Sequence, residues 1–164
     1  MQTLIKPLEG LAELLDIRKQ LQKQAGILQI AGCVDSQKTH MMYALSDGFR
    51  YKIIACSGEL KAKQIYEEYK FLDEHTYLYP AKDLLFYQAD LRSKELLKER
   101  MEVVQALLEE EQATVVTSFD GFMDSLLPLE EVKKRSIRIR LGDTVDLDEL
   151  IQKISGLGYE REEH

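Results

Sequence analysis

The sequence has few cysteines and no long apolar run. Among its 164 residues only Cys33 and Cys56 are cysteines, too few for a disulfide framework and typical of a reducing compartment. No stretch approaches the roughly 18 consecutive apolar residues of a membrane-spanning helix. The N-terminal residues also lack the basic and then apolar order of a secretory signal. We therefore expect a cytoplasmic protein with no membrane partner.

Signatures of metal and nucleic-acid binding are equally scarce. The two cysteines and His40 lack the paired spacing of a zinc site, so we expect no metal ion. A net charge of −7 argues against a general affinity for the nucleic-acid backbone. A local basic surface is still compatible with that charge.

The sequence does contain a regular alternation of apolar strands and amphipathic helices. Its apolar content of 45% and charged content of 31% are those of an ordinary globular protein. Strands are predicted at Ile27–Ala31, Tyr51–Cys56, Thr76–Tyr79 and Ala113–Thr117, with helices between them. This order favours βαβ units, and hence an α/β domain with a parallel sheet covered by helices on both faces.

The character of the chain changes after Pro128. The segment Ser136–Leu141 strictly alternates polar and apolar residues, which predicts a strand with one solvent-exposed face. A further helix is predicted over Leu147–Ser155, with Asp146 or Thr144 as its N-cap. We predict three regions: an N-terminal helix (1–25), an α/β subdomain (26–128), and the beginning of a second domain, cut before completion (129–164).

One loop matches a phosphate-binding pattern at all but one defined position. The order Gly32-x-x-x-x-Gln37-Lys38-Thr39 is that of a P-loop, with Gln37 in place of the second glycine and a helix expected to start near Lys38. Lys38 could reach phosphate oxygens and Thr39 could bind Mg²⁺, but the Asp35 carboxylate would repel a polyphosphate. A degenerate, inactive loop is the favoured interpretation, with weak nucleotide or anion binding as the alternative.

ATP hydrolysis would need an acidic pair after a later strand. After the predicted strand Ala113–Thr117 the sequence has a single acidic residue, Asp120, and it lies beyond the end of the strand. We therefore predict no catalytic residues and no enzyme activity for this chain.

The segment 133–140 is the one basic cluster in this acidic chain. Arg138 and Arg140 fall on one side of the predicted strand. Alternation alone explains them as a solvated face, and a docking surface for an acidic partner or for DNA is the functional interpretation.

Five segments, in this order, resemble the N-terminal part of bacterial transcription-repair coupling factors, and more distantly the excision-repair helicase subunit UvrB. They are AGCVDSQKTH, IIACSGELKAKQIYEEYKFL, YPAKDLLFYQADLRSKELLKERMEVVQAL, VVTSFDGFMDSLLP and IRIRLGDTVDLDELIQKISGLGYER. The last segment, with its basic strand, Gly-Asp turn, LDEL and GYER, is the most specific of the five.

The resemblance implies a RecA-like, P-loop-derived first subdomain without a working motor, followed by the truncated start of a UvrB-like α+β domain that docks UvrA. Arg161 matches by position an arginine that contacts UvrA in such domains. RNA polymerase and DNA would be bound by domains absent here, which in the parent protein drive ATP-dependent DNA translocation. The implied function is recruitment of UvrA to stalled RNA polymerase, with no cofactor. The alternative is a P-loop protein with weak ATP binding or hydrolysis.

Overall fold

A computed structural model describes residues 10–23, 26–82, 90–109, 112–126, 128–157 and 159. The chain divides into two compact units, Met1–Ser125 and Leu126–His164. The first contains α1 (Ala12–Lys23), α2 (Asp35–Leu45), β1 (Tyr51–Cys56), α3 (Glu59–Lys70), β2 (Thr76–Tyr79), α4 (Asp90–Glu109), β3 (Ala113–Ser118) and α5 (Phe119–Met123). The second contains α6 (Leu129–Arg135) and α7 (Leu147–Gly156).

The first unit is built on a three-stranded, all-parallel sheet in the order β1-β3-β2. The central strand β3 is buried along its whole length. Its Val116 lies beside Ile54 of β1 and Leu78 of β2. The predicted α/β class and parallel sheet are therefore confirmed, and β1 and β2 have the predicted bounds.

Helices cover both faces of this sheet. On one face, Ala62 and Ile65 of α3 pack against Val116. On the opposite face, Val103 of α4 packs against Val115. Neighbouring residues of a strand point to opposite sides, so the two valines divide the apolar core between the two helices.

The predicted strand at Ile27–Ala31 is wrong. Residues 26–31 form no ladder and are exposed, and Ile27 has a relative accessibility of 104%. A short apolar run becomes a strand only where a sheet edge pairs with it. Within the described residues β1 pairs with β3 alone, and nothing pairs with 26–31.

In the second unit, the predicted strand at Ser136–Leu141 is also wrong. These residues are exposed and belong to no strand. Alternating apolar and polar residues form a half-buried strand only where a neighbouring strand pairs with them and an apolar core covers one face. The described part of this unit contains neither. The predicted helix there is confirmed as α7, and its cap is Asp146, whose Oδ1 accepts from the N–H groups of Asp148 (2.9 Å) and Glu149 (3.1 Å).

One carboxylate joins the amino ends of all three strands. Asp73 Oδ2 accepts from Lys52 Nζ of β1 at 3.1 Å and from Thr114 Oγ1 of β3 at 3.0 Å. Its Oδ1 accepts from the N–H of His75, just before β2, at 3.1 Å. Burial raises the pKa of Asp73, but Lys52 and the hydrogen bonds outweigh burial and hold the pKa below its usual value.

We expect Asp73→Asn to lower the free energy of unfolding by about 2 kcal/mol at neutral pH, because it leaves the largely buried Lys52 ammonium without a counter-charge. The unfolded-state pKa is about 4 and the folded one lower, so this stabilisation is complete above about pH 5 and is lost as pH falls through the folded pKa. Urea unfolding measures this effect. The difference in free energy of unfolding between wild type and variant should become smaller below about pH 4.

Asp16→Asn is the matched control, since Asp16 forms an exposed ion pair with Lys19 at 3.7 Å. It should change the free energy of unfolding by less than about 0.5 kcal/mol. If Asp73→Asn lowered the free energy of unfolding by the same amount from neutral to acid pH, the role given to this carboxylate would be contradicted.

Candidate functional site

The loop before α2 begins like a P-loop and then departs from one. Gly32 has φ of +86°, a left-handed conformation that favours glycine. Helix α2 starts at Asp35, three residues before the predicted start near Lys38, with Val34 as its N-cap. Residues 35–37, which would curl around a phosphate in a P-loop, are thus the first turn of a helix.

Gln37 explains the early start of the helix. Its side-chain Oε1 accepts the N–H of Val34 at 3.3 Å, reaching back across the first turn. Its own N–H donates to the carbonyl of Val34 at 2.9 Å. A glycine at this position lacks a side chain that can close the turn in this way.

Lys38 forms an ion pair within the same helix. Its Nζ lies 2.7 Å from Asp35 Oδ1, and Lys61 of α3 approaches Asp35 Oδ2 at 3.5 Å. The hydrogen bond and charge of Lys38 lower the pKa of Asp35, and Asp35 in turn raises the pKa of Lys38. Both partners are exposed, so the pair is easily exchanged with solvent.

Thr39 is buried and bonded to a neighbouring helix. Its side chain faces α3, where Oγ1 donates to Glu68 Oε2 at 2.6 Å, and the residue is only 1% exposed. This hydrogen bond lowers the pKa of Glu68, as does a second one from Gln64. The hydroxyl expected to meet Mg²⁺ therefore fastens α2 to α3.

A cavity of about 430 Å³ lies beside the loop. Most of its lining is apolar, and it is formed by Ile30, Ala31, Gly32, Cys33, Lys38, Met41, Met42 and Leu45. Phosphate groups need donors and positive charge, and Lys38 is the one charged side chain among the described residues of this lining.

The predicted partner-binding arginines lie in the second unit. Arg138 and Arg140 are exposed in an extended segment. The N–H of Arg140 donates to Asp143 Oδ2 at 2.7 Å, which fixes the Gly142 turn. Arg161 lies outside the described residues.

The carboxyl ends of the strands hold a polar cluster that the sequence analysis missed. Arg100 of α4 donates to Asp124 Oδ2 at 2.7 Å and to the Pro80 carbonyl at 2.8 Å, and lies 4.2 Å from the centre of the Tyr79 ring. Arg100 lies one turn after Leu96, on the same side of α4. A charged residue among the apolar residues of that side is the sequence signal that could have revealed the cluster.

Glu59 extends this cluster from the first turn of α3. Its Oε1 accepts a short hydrogen bond from Ser118 Oγ and another from the N–H of Ala81 at 3.1 Å. A cavity of about 610 Å³ lies nearby, and Asp120, the residue predicted to fall after the strand, is in its lining. Ligands of parallel sheets bind at this end of the strands, but here the Glu59 and Asp124 carboxylates accept hydrogen bonds from the protein itself.

Within the described ranges, no three His, Cys, Asp or Glu side chains come together in a way that could hold a metal ion. Cys33 and Cys56 are free thiols, and burial raises the pKa of Cys56. In the same part of the chain, no helix has the length and apolar character to cross a membrane.

Comparison with known proteins adds a sequence relationship to this geometry. The chain is 28% identical over 94 residues to the transcription-repair-coupling factor of Staphylococcus aureus strain USA300, which covers 57% of this chain and 8% of that protein. It is 30% identical over 86 residues to that of Staphylococcus haemolyticus, covering 52% and 7%. The chain resembles transcription-repair-coupling factors.

This similarity confirms the resemblance predicted from the ordered motifs. The transcription-repair-coupling factor of Staphylococcus epidermidis matches over 90 residues at 28% identity. No family model matches the chain. The matched stretch is less than a tenth of each of these coupling factors, so it relates this chain to a small part of them.

The bond between Thr39 and Glu68 can be tested with an isosteric change. We expect Thr39→Val to raise the pKa of Glu68 toward its ordinary value and to cost about 1–2 kcal/mol in unfolding free energy, because the carboxylate loses its buried donor and keeps only Gln64. Carboxyl NMR titration and urea unfolding measure the two effects.

Gln64→Leu is the control, since it removes only the exposed hydrogen bond to Glu68 Oε1 at 3.0 Å. Gln64→Leu should shift the pKa of Glu68 less than Thr39→Val does, and it should leave the free energy of unfolding almost unchanged. An unaltered Glu68 pKa in Thr39→Val would show that the hydroxyl is not held by this carboxylate.

Proposed function

We propose that this chain is a protein-interaction module of a transcription-coupled DNA repair factor, and that it recruits UvrA to stalled RNA polymerase. The observation that carries the proposal is the similarity to transcription-repair-coupling factors from several staphylococci. In this proposal DNA and RNA polymerase are bound by other parts of the repair factor.

The proposal includes a RecA-like, P-loop-derived origin for the first unit and a UvrB-like origin for the second. A parallel sheet with helices on both faces, preceded by a glycine loop and a helix, supports the first assignment. The order of the Gly142 turn, the Asp146 cap and helix α7 supports the second.

The first unit, in this proposal, has no ATPase activity and needs no cofactor. A nucleotide would require the Lys38 ammonium and the Thr39 hydroxyl, and both have partners within the protein. Releasing Thr39 would leave the Glu68 carboxylate with the Gln64 hydrogen bond alone, and releasing Lys38 would leave the Asp35 carboxylate, with only Lys61 at 3.5 Å, beside the phosphates. Each step makes nucleotide binding less favourable.

UvrA is proposed to dock on the second unit near Arg138 and Arg140. Guanidinium groups form bidentate pairs with carboxylates, which suits an interface with an acidic surface. Arg161 is proposed as a further contact on the basis of the family resemblance alone.

The docking surface is tested by titrating UvrA against the chain by calorimetry. The double variant Arg138→Ala/Arg140→Ala should weaken binding by at least about tenfold, since arginine is enriched among the interface residues whose truncation costs more than about 1 kcal/mol. Lys19→Ala/Lys23→Ala removes the same charge from exposed positions of α1 in the first unit and should change the affinity little. No binding of UvrA by the unaltered chain would overturn the proposed recruitment role.

The absence of a nucleotide site is tested by calorimetry with Mg-ATP. We expect no saturable heat at nucleotide concentrations up to about 1 mM. Micromolar binding that disappears in Lys38→Ala but survives in Lys61→Ala would instead make the chain a nucleotide-binding P-loop protein. Lys61 is a suitable control because it is the other ammonium group near Asp35.

A further inference from the structure

The outer edge of β1 carries exposed residues. The Arg50 carbonyl accepts a main-chain hydrogen bond from β3 at 3.0 Å, so the main chain at that point faces β3. Main-chain groups of successive residues in a strand point to opposite edges, so Lys52 and Ile54 also face β3. Ile53 and Ala55 therefore direct their N–H and C=O groups outward. Both residues are exposed, Ile53 by 62%, and none of these four groups has a hydrogen-bond partner among the described residues.

The described chain leaves this edge unshielded. Residues 46–50 lead into β1 and residues 57–58 lead out of it, and neither segment pairs with the edge. Natural edge strands are commonly protected by a proline or by an exposed lysine. β1 has no proline, and its Lys52 is held on the α3 side of the sheet by Asp73, with both side chains largely buried. The hydroxyl of Tyr51 donates to a carbonyl of α4 at 3.4 Å, which keeps its ring beside α4 and off the edge.

We propose that this edge pairs with the same edge of a second copy of the chain, antiparallel and about a two-fold axis at Ile54. Ile53 of one copy then lies opposite Ala55 of the other, and the two residues exchange N–H···O=C hydrogen bonds. The merged sheet has the order β2-β3-β1-β1-β3-β2. Because the two-fold axis uses the same edge in both copies, association ends at the dimer.

The side chains of β1 suit this register. On the exposed face, the large Ile53 of each copy lies beside the small Ala55 of the other. On the α3 face, Ile54 meets the Ile54 of the second copy, and Lys52 lies opposite Cys56, whose pKa is raised by burial and which is therefore uncharged at neutral pH. Like charges directly opposite each other destabilise a strand pair, and this register of β1 brings none together. A second copy therefore fits the edge in shape and in charge.

The contact is small. β1 has six residues, whereas a standard protein interface takes roughly 20–30 residues from each side. We therefore expect a weak dimer, with a dissociation constant of about 0.1 mM. The contact lies wholly in the first unit and is independent of the proposed docking of UvrA on the second.

Sedimentation and hydrogen exchange of the full, ¹⁵N-labelled chain test the pairing. Between about 20 µM and about 1 mM, sedimentation equilibrium should show a reversible monomer–dimer transition. At about 1 mM about a fifth of the chain is monomeric, so the amides of Ile53 and Ala55 should exchange about fivefold more slowly than in dilute solution. The amides of Lys52 and Ile54 face β3 and should exchange slowly at both concentrations.

Substitutions at the edge give a second readout. Ile53→Lys places a charge on the edge and removes both contacts with Ala55, so it should weaken dimerisation at least about tenfold. Leu60→Lys is the matched control, since Leu60 is 89% exposed on the side of α3 turned away from the sheet, and it should leave dimerisation unchanged. Ala55→Pro removes an outward N–H and spares the ladder with β3, so it should also weaken the dimer. Slow exchange at Lys52 and Ile54 shows in each variant that the sheet is intact.

Three results would overturn the proposal. One is a chain that stays monomeric at about 1 mM. Another is a dimer in which Ile53 and Ala55 exchange as fast as in dilute solution, or which forms equally well with Ile53→Lys, because another surface then joins the copies. The third is slow exchange at Ile53 and Ala55 at every concentration, which would assign the edge to a segment of the same chain, such as residues 26–31.

Discussion

The first unit has a polar connection at each end of its sheet, and the Asp73 carboxylate forms the one at the amino ends. A three-stranded sheet has little apolar surface, and its strands come from distant parts of the sequence. Asp73 ties Lys52, Thr114 and His75 together at the amino ends of those strands. At the carboxyl ends, Arg100 makes the corresponding connection through Asp124 and the Pro80 carbonyl. The apolar core between α3 and α4 lies between these two polar connections.

In the loop from Gly32 to Thr39, the side chains that match the phosphate-binding pattern have contacts within the protein. Gln37 closes the first turn of α2, Lys38 pairs with Asp35, and Thr39 fastens α2 to α3 through Glu68. The buried Thr39 contact stabilises the fold, and Lys38 and Thr39 are the two side chains that a nucleotide would need. These contacts are the physical basis of the proposal that the loop binds no nucleotide.

Local patterns in the sequence predicted β1 and β2 with their observed bounds, because both are short apolar runs set between clear helical and turn signals. The same reasoning failed at Ile27–Ala31 and Ser136–Leu141, where the apolar pattern is present but no neighbouring strand pairs with it in the described chain. The loop pattern offered Thr39 only as a possible Mg²⁺ ligand of a loop predicted to be inactive, and its contact with Glu68, 29 residues away, was not predicted. Partners so distant in sequence leave no local periodicity.

Whether Lys38 and Thr39 remain with their internal partners is tested most directly by NMR of the ¹⁵N-labelled chain during addition of Mg-ATP. The amides of Gly32 to Thr39 should shift no more than the added ionic strength explains, and the pKa of Glu68 should stay low. Saturable shifts confined to this loop, together with a rise in the pKa of Glu68, would contradict the internal engagement of these side chains.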